Sequence, residues 1–222
     1  MAKLTGAHLL VRCLKQEGIR RVFTIVGDTI LPFCDAWLDE GLEYIDTRHE
    51  AAAMNMAAGW AQMTGEPAVA VFTGGPGFSN AISALPHIYT TECPVIFING
   101  CGALHERGMS SFQEIDQVAM AAPVTKGSWM VDDRRRIPEY VATAFRTAIS
   151  GRPGPVVLAL PEDMLYDATE ALPRAAVTRP AQAPCPDAMQ AMMALMQDPG
   201  AMQAWFQKKR DAFDALLEDD SP

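Results

Sequence analysis

The chain has 222 residues, of which 49% are hydrophobic, and a formal net charge of −9 at pH 7. This length supports one sizeable core with an appendage, and an acidic chain without a basic stripe argues against nucleic acid as a partner. It has no apolar run long enough to span a membrane and no signal-peptide pattern, and its five scattered cysteines predict reduced thiols in a cytoplasmic protein without a metal site.

Helical and strand-like segments alternate through the first three quarters of the chain. Apolar spacing predicts helices at 5–17, 30–40, 50–63, 78–91 and 135–149. It predicts strands at 21–25, 44–46, 68–73, 94–99, 129–131 and 155–160, with a long loop at 100–127 that contains one short helix near Ser111. The alternation predicts an α/β fold: a doubly wound, mostly parallel sheet with helices on both faces. Ligands of such sheets bind at the carboxyl ends of the strands.

The sequence changes character after residue 166. Residues 167–187 are rich in Pro and Ala, which predicts an extended linker. Helical patterns follow at 188–197 and 201–217, and Asp198-Pro199-Gly200 separates them. We therefore expect a helical C-terminal tail beyond the α/β part.

Glu50 stands where an extended apolar segment turns into an Ala-rich helix. A carboxylate at this position is stabilised as an anion by the free amides of the helix start. Buried against a nitrogen base, it could instead share a proton with that base. On its own the pattern is more typical of a helix start than of a functional site.

A glycine-rich turn, Gly74-Gly75-Pro76-Gly77, follows the predicted strand at 68–73. Such a strand-to-helix turn lets a ligand approach the backbone. The glycine spacing and Pro76 do not match the dinucleotide-binding fingerprint.

In this order and spacing, the Glu50 segment and the glycine-rich turn resemble the pyrimidine-binding domain of thiamine-diphosphate enzymes of the acetolactate synthase type. Residues 22–28, 111–117 and 150–163 are similar to three further segments of that domain. The resemblance covers about residues 4–166. It implies a pyrimidine-binding domain at 1–166 and the linker at 167–187. Residues 188–222 then resemble helical remnants of the family's central domain and of its linker to a diphosphate-binding domain.

The long stretch that the family has between these two remnants is absent from the sequence. Either the central domain has been lost, or the sequence joins two parts of a protein across a missing segment, and we hypothesise the second. The family's Mg²⁺-binding motif, Gly-Asp-Gly followed by Asn-Asn, is also absent. The resemblance thus implies thiamine diphosphate and Mg²⁺ as cofactors, with no metal ligand in this sequence.

The resemblance also implies roles for individual residues. Glu50 would bind ring nitrogen N1′ of the aminopyrimidine and drive acid–base catalysis through the cofactor. Gln113 would point at the reacting centre, and Asp28 would be either a proton-transfer group or a turn residue. The remaining predicted contacts are Gly27, Thr73, Pro76 and Asn80 with the cofactor, and Val26 and Phe112 in the substrate pocket. Helix capping by Asn80 and ordinary packing by Phe112 are the alternatives for those two residues.

The implied reaction makes or breaks a C–C bond next to a carbonyl group. Val26-Gly27 and residues 104–107 are similar to oxalyl-CoA decarboxylases and 2-hydroxyacyl-CoA lyases, whereas Asp28 is similar to the Gly-Asp turn of simple 2-keto acid decarboxylases. The substrate is therefore a 2-keto acid or a 2-hydroxyacyl-CoA. The alternatives are a non-catalytic, truncated binding or dimerisation module, and the pyrimidine-binding subunit of a split 2-keto acid decarboxylase. Because the family shares its site between chains, the resemblance implies a homodimer or homotetramer.

Overall fold

The computed structural model describes residues 4–177 and 186–218, which belong to two compact units that divide between residues 179 and 180. The strands of the first unit are β1 (Leu4–Thr5), β2 (Arg21–Thr24), β3 (Glu43–Asp46), β4 (Ala68–Phe72), β5 (Val95–Cys101), β6 (Gly127–Met130), β7 (Val156–Pro161) and β8 (Ala168–Thr169). Its helices are α1 (Gly6–Gln16), α2 (Leu31–Asp39), α3 (Glu50–Thr64), α4 (Pro76–Ile82), α5 (Leu85–Thr90), α6 (Gln117–Ala121), α7 (Ile137–Ile149) and α8 (Glu162–Tyr166). The second unit contains α9 (Pro186–Gln197) and α10 (Pro199–Glu218).

The main sheet has six strands in the order β3-β2-β4-β5-β7-β6, and every neighbouring pair is parallel. The predicted α/β class, with its doubly wound sheet and helical C-terminal region, is confirmed. Because all six strands run the same way, their carboxyl ends share one edge, which we call the carboxyl edge. The short strands β1 and β8 pair antiparallel in a separate ribbon.

Helices cover both faces of the main sheet, and the alternation of side chains along each strand divides the core in two. On one face Val71 and Ile98 pack in a cluster with residues of α1, α2 and α7. On the other face Phe72 and Phe97 pack with residues of α3, α4 and α5. Phe97 also stacks on Phe78 with a centroid separation of 5.3 Å. The central strands are thus buried on both faces, which explains their unbroken apolar sequences.

The prediction of one continuous helix over 78–91 is wrong. The structure has α4 and α5 in its place, with a break at residues 83–84. Pro86 is the second residue of α5. A proline there has no N–H to bond the preceding turn, and its ring crowds the carbonyl group four residues earlier, so the chain begins a new helix.

The predicted helix near Ser111 is also wrong. Ser110 and Gln113 have φ angles of 58° and 60°, which a right-handed helix does not allow. Helix α6 begins later, at Gln117, where the Asp116 carboxylate accepts the N–H of Ala119 at 3.0 Å. Helix α8 and the strands β1 and β8 were not predicted.

Part of the predicted linker at 167–187 belongs to the first unit. Strand β8 pairs with β1, and the Val177 N–H donates to both oxygens of Glu17 at 3.1 and 3.0 Å. Residues 178–185 of the predicted linker lie outside the described residues. In the described part of the chain, no helix combines the length and the apolar character needed to cross a membrane.

Candidate functional site

Glu50 is the first residue of α3, close after the end of β3 on the carboxyl edge. His49 caps the helix, because its Nδ1 accepts the N–H of Ala51 at 3.2 Å. The Glu50 side chain is partly exposed, and its Oε2 accepts a hydrogen bond from Asn80 Nδ2 at 3.0 Å. The packing of α3 against α4 thus brings two predicted site residues together, and Asn80 bonds Glu50 rather than a helix end.

The glycine-rich turn between β4 and α4 is shaped by its contact with a distant loop. Gly75 has a φ angle of 56°, and a Cβ atom added there would lie 2.5 Å from Cβ of Gln113. Glycine is needed both for this backbone conformation and for the close approach. The turn therefore holds Gln113 beside the start of α4, where the predicted residues Pro76 and Asn80 lie.

A threonine that the sequence did not single out joins the turns that follow β2 and β4. The Thr29 hydroxyl lies 3.0 Å from the hydroxyl of Thr73 and accepts the N–H of Gly74 at 3.0 Å. A Cβ added at Gly27 would lie 2.6 Å from Cβ of Thr73, and one at Gly100 would overlap the hydroxyl and carbonyl oxygens of Thr29. Three strand ends are therefore locked together without space for another methyl group. A lone Thr after Gly27-Asp28 gives no sequence signal for this role.

Two buried amide side chains beneath these turns were also missed. Asn99 and Gln117 are 0% and 1% exposed, and both donate to the carbonyl oxygen of Gly100. Their side-chain oxygens have no hydrogen-bond partner in the described structure. They anchor the end of β5 and the start of α6, which bracket the loop that carries Gln113.

Three other predicted residues are exposed. Val26 and Phe112 are 53% and 69% exposed, and Asp28 is exposed as well. Within the described residues, no hydrogen bond or ion pair joins any of them to Glu50. Asp28 instead faces Glu162 across the carboxyl edge: burial raises the pKa of Glu162, and the charge of Asp28 raises it further.

A cavity of about 560 Å³ opens beside Gln113, between the ends of β5, β6 and β7 and the loop 102–116. Gln113 lines this cavity and Glu50 does not. Cys101 also lines it, and burial, reinforced by the charge of Asp163, raises the pKa of its thiol to about 12. Cys101 is therefore a neutral thiol at physiological pH. Among the described residues, no group of three or more His, Cys, Asp or Glu side chains is placed to hold a metal ion.

One family model and several known proteins are similar in sequence to this chain. The family model for "Thiamine pyrophosphate enzyme, N-terminal TPP binding domain" matches residues 4–120. The large subunit of acetolactate synthase isozyme 3 from Escherichia coli K12 is 40% identical over 171 residues, which are 77% of this chain and 30% of the relative. A probable acetolactate synthase large subunit from Methanocaldococcus jannaschii is 38% identical over 72% of this chain and 27% of its own length.

A third relative extends the similarity further along the chain. The acetolactate synthase of Bacillus subtilis strain 168 is 36% identical over 198 residues, which are 89% of this chain and 35% of the relative. The chain therefore spans about a third of the length of the curated relatives that it matches.

Proposed function

The chain belongs to the thiamine pyrophosphate enzymes, through their N-terminal TPP-binding domain, and from this membership we propose that it holds the pyrimidine half of thiamine diphosphate at Glu50. The supporting observation is the Glu50–Asn80 pair beside the contact between Gly75 and Gln113. Together they place a carboxylate, an amide and a glycine backbone at one point of the carboxyl edge.

The chemistry of these residues fits the group. Glu50 Oε1 has no hydrogen-bond partner in the described structure, while Asn80 holds Oε2. A carboxylate fixed by one oxygen can hold or give a proton at a ring nitrogen through the other. Gly75 has no side chain, so Gln113 packs directly against the turn that begins α4. Pro76, Thr73 and Gly27 would line the same position.

When bound, thiamine diphosphate supplies the electron sink for making or breaking a C–C bond next to a carbonyl group. We propose a reaction of this class, with a 2-keto acid as the substrate. The acetolactate synthases among the relatives support this choice over a 2-hydroxyacyl-CoA. Gln113 would face the reacting centre, Asp28 would be a second proton-transfer group, and Val26 and Phe112 would border the substrate.

The diphosphate and Mg²⁺ need ligands from elsewhere, which we propose come from further sequence of a longer protein or from another chain. The partly exposed Glu50 and the exposed Phe112 support a site completed by a second surface, as in a dimer or tetramer. Under this proposal residues 1–166 form the pyrimidine-binding domain. Residues 167–187 connect it to the remnants at 188–222.

Substitution of Glu50 tests the assignment. In the holoenzyme, complete with the part that binds the diphosphate, Glu50→Gln should slow hydrogen exchange at C2 of the thiazolium ring by at least ~10²-fold, because one acid–base group contributes this much. The matched control is Glu66→Gln, which removes an exposed carboxylate before β4 and should leave the exchange rate unchanged. Exchange at the wild-type rate in Glu50→Gln would refute the role.

Binding to the chain itself separates the alternatives. Titration of the ¹⁵N-labelled chain with thiamine diphosphate should shift the amide signals of Gly75 and Asn80, and Glu50→Gln should abolish the shifts. The absence of such shifts in the wild-type chain, even with the diphosphate-binding part present, would favour a non-catalytic module.

A further inference from the structure

The turn between β4 and α4 begins the helix that carries Asn80, and it has no capping side chain of its own. Gly75 is the N-cap residue of α4, and no side-chain hydrogen bond caps the helix there. The N–H of Gly74 is instead held at 3.0 Å by the hydroxyl of Thr29, which lies 45 residues earlier in the chain. We propose that Thr29 is a positioning residue for Glu50: its hydroxyl fixes the start of α4, and α4 fixes the hydrogen bond from Asn80 to the carboxylate.

The surroundings of Thr29 allow it to act as a fixed point. The residue is 3% exposed, and its N–H and its hydroxyl lie 3.4 and 3.0 Å from the hydroxyl of Thr73. A Cβ atom added at Gly100 would overlap the hydroxyl oxygen of Thr29. A threonine hydroxyl can accept one hydrogen bond while it donates another, so its contacts with Thr73 and Gly74 can form together. The hydroxyl is therefore confined by groups at the ends of β2, β4 and β5.

The turn transmits this position to the first residues of α4. The carbonyl oxygen of Gly74 accepts the N–H of Gly77 at 3.3 Å. The carbonyl oxygen of Gly75 accepts both the N–H and the hydroxyl of Ser79, each at 2.9 Å. A Cβ atom added at Gly77 would lie 2.7 Å from Cγ2 of Thr73, so the helix begins in close contact with the end of β4. A displacement of Gly74 would therefore move the whole first turn of α4.

Asn80 connects the first turn of α4 to the carboxylate. It directly follows this turn, and its Nδ2 donates to Oε2 of Glu50 at 3.0 Å. Because such a hydrogen bond needs a separation of about 2.7–3.2 Å, a small shift of α4 weakens the pair while the fold persists. Catalysis is sensitive to shifts of this kind, since a misplacement of about 1 Å can cost ~10²-fold in rate.

Two matched substitutions separate positioning from stability. Thr29→Val removes the hydroxyl and keeps the shape of the side chain, which leaves the buried N–H of Gly74 without its partner. The control is Thr24→Val. Thr24 is 1% exposed, and its hydroxyl donates to the carbonyl oxygen of Val71 at 2.6 Å, so it joins β2 and β4 within the sheet and not at the turn. Both variants should unfold at a lower temperature than the wild type, and Thr29→Ser, which keeps the hydroxyl, should not.

The first measurement follows the Glu50–Asn80 pair in the full ¹⁵N-labelled chain without cofactor. Glu50→Ala, which lacks the acceptor, gives the side-chain amide signals of Asn80 in their unbonded positions. Thr29→Val should move these signals at least about half of that distance, whereas Thr24→Val and Thr29→Ser should leave them at the wild-type positions. If Thr29→Val does not fold, Thr29→Cys makes the same test with a smaller change, because a thiol is a weaker hydrogen-bond acceptor. Unchanged signals in the folded Thr29 variant, or an equal change in Thr24→Val, would overturn the proposal.

The second measurement concerns catalysis and rests on the proposed function. In the holoenzyme, Thr29→Val should slow hydrogen exchange at C2 of the thiazolium ring about tenfold, which is less than Glu50→Gln does, because the carboxylate is displaced and not removed. Thr24→Val and Thr29→Ser should exchange at the wild-type rate. Equal slowing in both valine variants would indicate a purely structural role and contradict the proposal. If Glu50→Gln exchanges at the wild-type rate, the proposed function fails, while the Asn80 signals still decide the role of Thr29.

Discussion

Two parts of the carboxyl edge differ in how tightly they are packed. Near β2 and β4, the hydroxyl of Thr29 ties the strand ends together, and glycines at 27 and 100 leave no space for a methyl group. Near β6 and β7, the loop 102–116 lies over a cavity lined by Gln113, whose buried Oε1 has no hydrogen-bond partner among the described residues. The first part fixes positions, and the second leaves open volume beside one unpaired buried oxygen.

Under the proposed function, this difference would match two different tasks. A cofactor offers the same atoms in every turnover, so a locked edge can hold it in one geometry. A substrate pocket instead needs free hydrogen-bonding groups and volume. Gln113 belongs to both parts, because it packs against Gly75 on one side and lines the cavity on the other.

The largest loss of stability should come from Gly75→Ala, which disrupts the contact between the two parts. The new methyl group meets Gln113 and also strains a φ angle of 56°, so we expect a loss of about 3 kcal/mol in the free energy of unfolding. Gly65→Ala is the matched control, because Gly65 has a φ angle of 73° with no atom within 4 Å. It should lose only about 1 kcal/mol in urea unfolding. Equal losses would show that the Gln113 contact has no energetic importance.

Gly100→Ala should have the next largest effect, because it disrupts the contact of Gly100 with Thr29 in the first part. Its methyl group would overlap backbone and hydroxyl oxygens of Thr29, at a cost of about 2 kcal/mol typical of an overpacked site. Gly59→Ala, within α3 and with no atom within 4 Å, should instead gain about 0.5–1 kcal/mol. Urea unfolding of both variants measures the difference. Wild-type stability in Gly100→Ala would mean that the strand ends can separate freely.

The smallest expected effect is a pH-dependent loss of hydrogen bonds in the loop 102–116, which lies over the cavity. The Glu114 carboxylate accepts N–H groups of Gly108 and Ser111, and these hydrogen bonds lower the pKa of Glu114 below its ordinary value of 4.5. Because the folded-state pKa is the lower one, the bonds stabilise the loop above pH 4.5 and are lost as the pH falls through the folded pKa.

An NMR titration checks this prediction. The amide proton shifts of Gly108 and Ser111 should change together, with a midpoint below pH 4.5, and Glu114→Gln should abolish the transition. A midpoint at or above pH 4.5 would contradict the ordering role of Glu114.

The sequence predicted the sheet better than it predicted the site. Strands and helices with clear apolar periodicity were found within about two residues, because burial on one or both faces dictates those patterns. The break between α4 and α5 depends on one proline within an apolar pattern. The loop 100–127 has no periodicity, and its course depends on Ser110 and Gln113 at positive φ, which non-glycine residues do not signal.

The predicted site residues divide in the same way. Glu50 could be singled out because it stands at a helix start, and Asn80 because of the family resemblance, and the two prove to be hydrogen-bonded to each other. Thr29 and Gln117 could not, because their importance comes from contacts between segments far apart in sequence. The cavity is likewise a property of the folded loop, and no short motif encodes its volume.

The strand order has a consequence for biosynthesis. Strand β6 pairs with β7 alone, although β7 follows it by some 26 residues along the chain. A ribosome releases the chain from its N-terminus, so Trp129 and its neighbours emerge before the strand that they pair with exists. We therefore expect β6 to join the sheet only after residues 156–161 have been synthesised, so that the pocket around Met130 forms late.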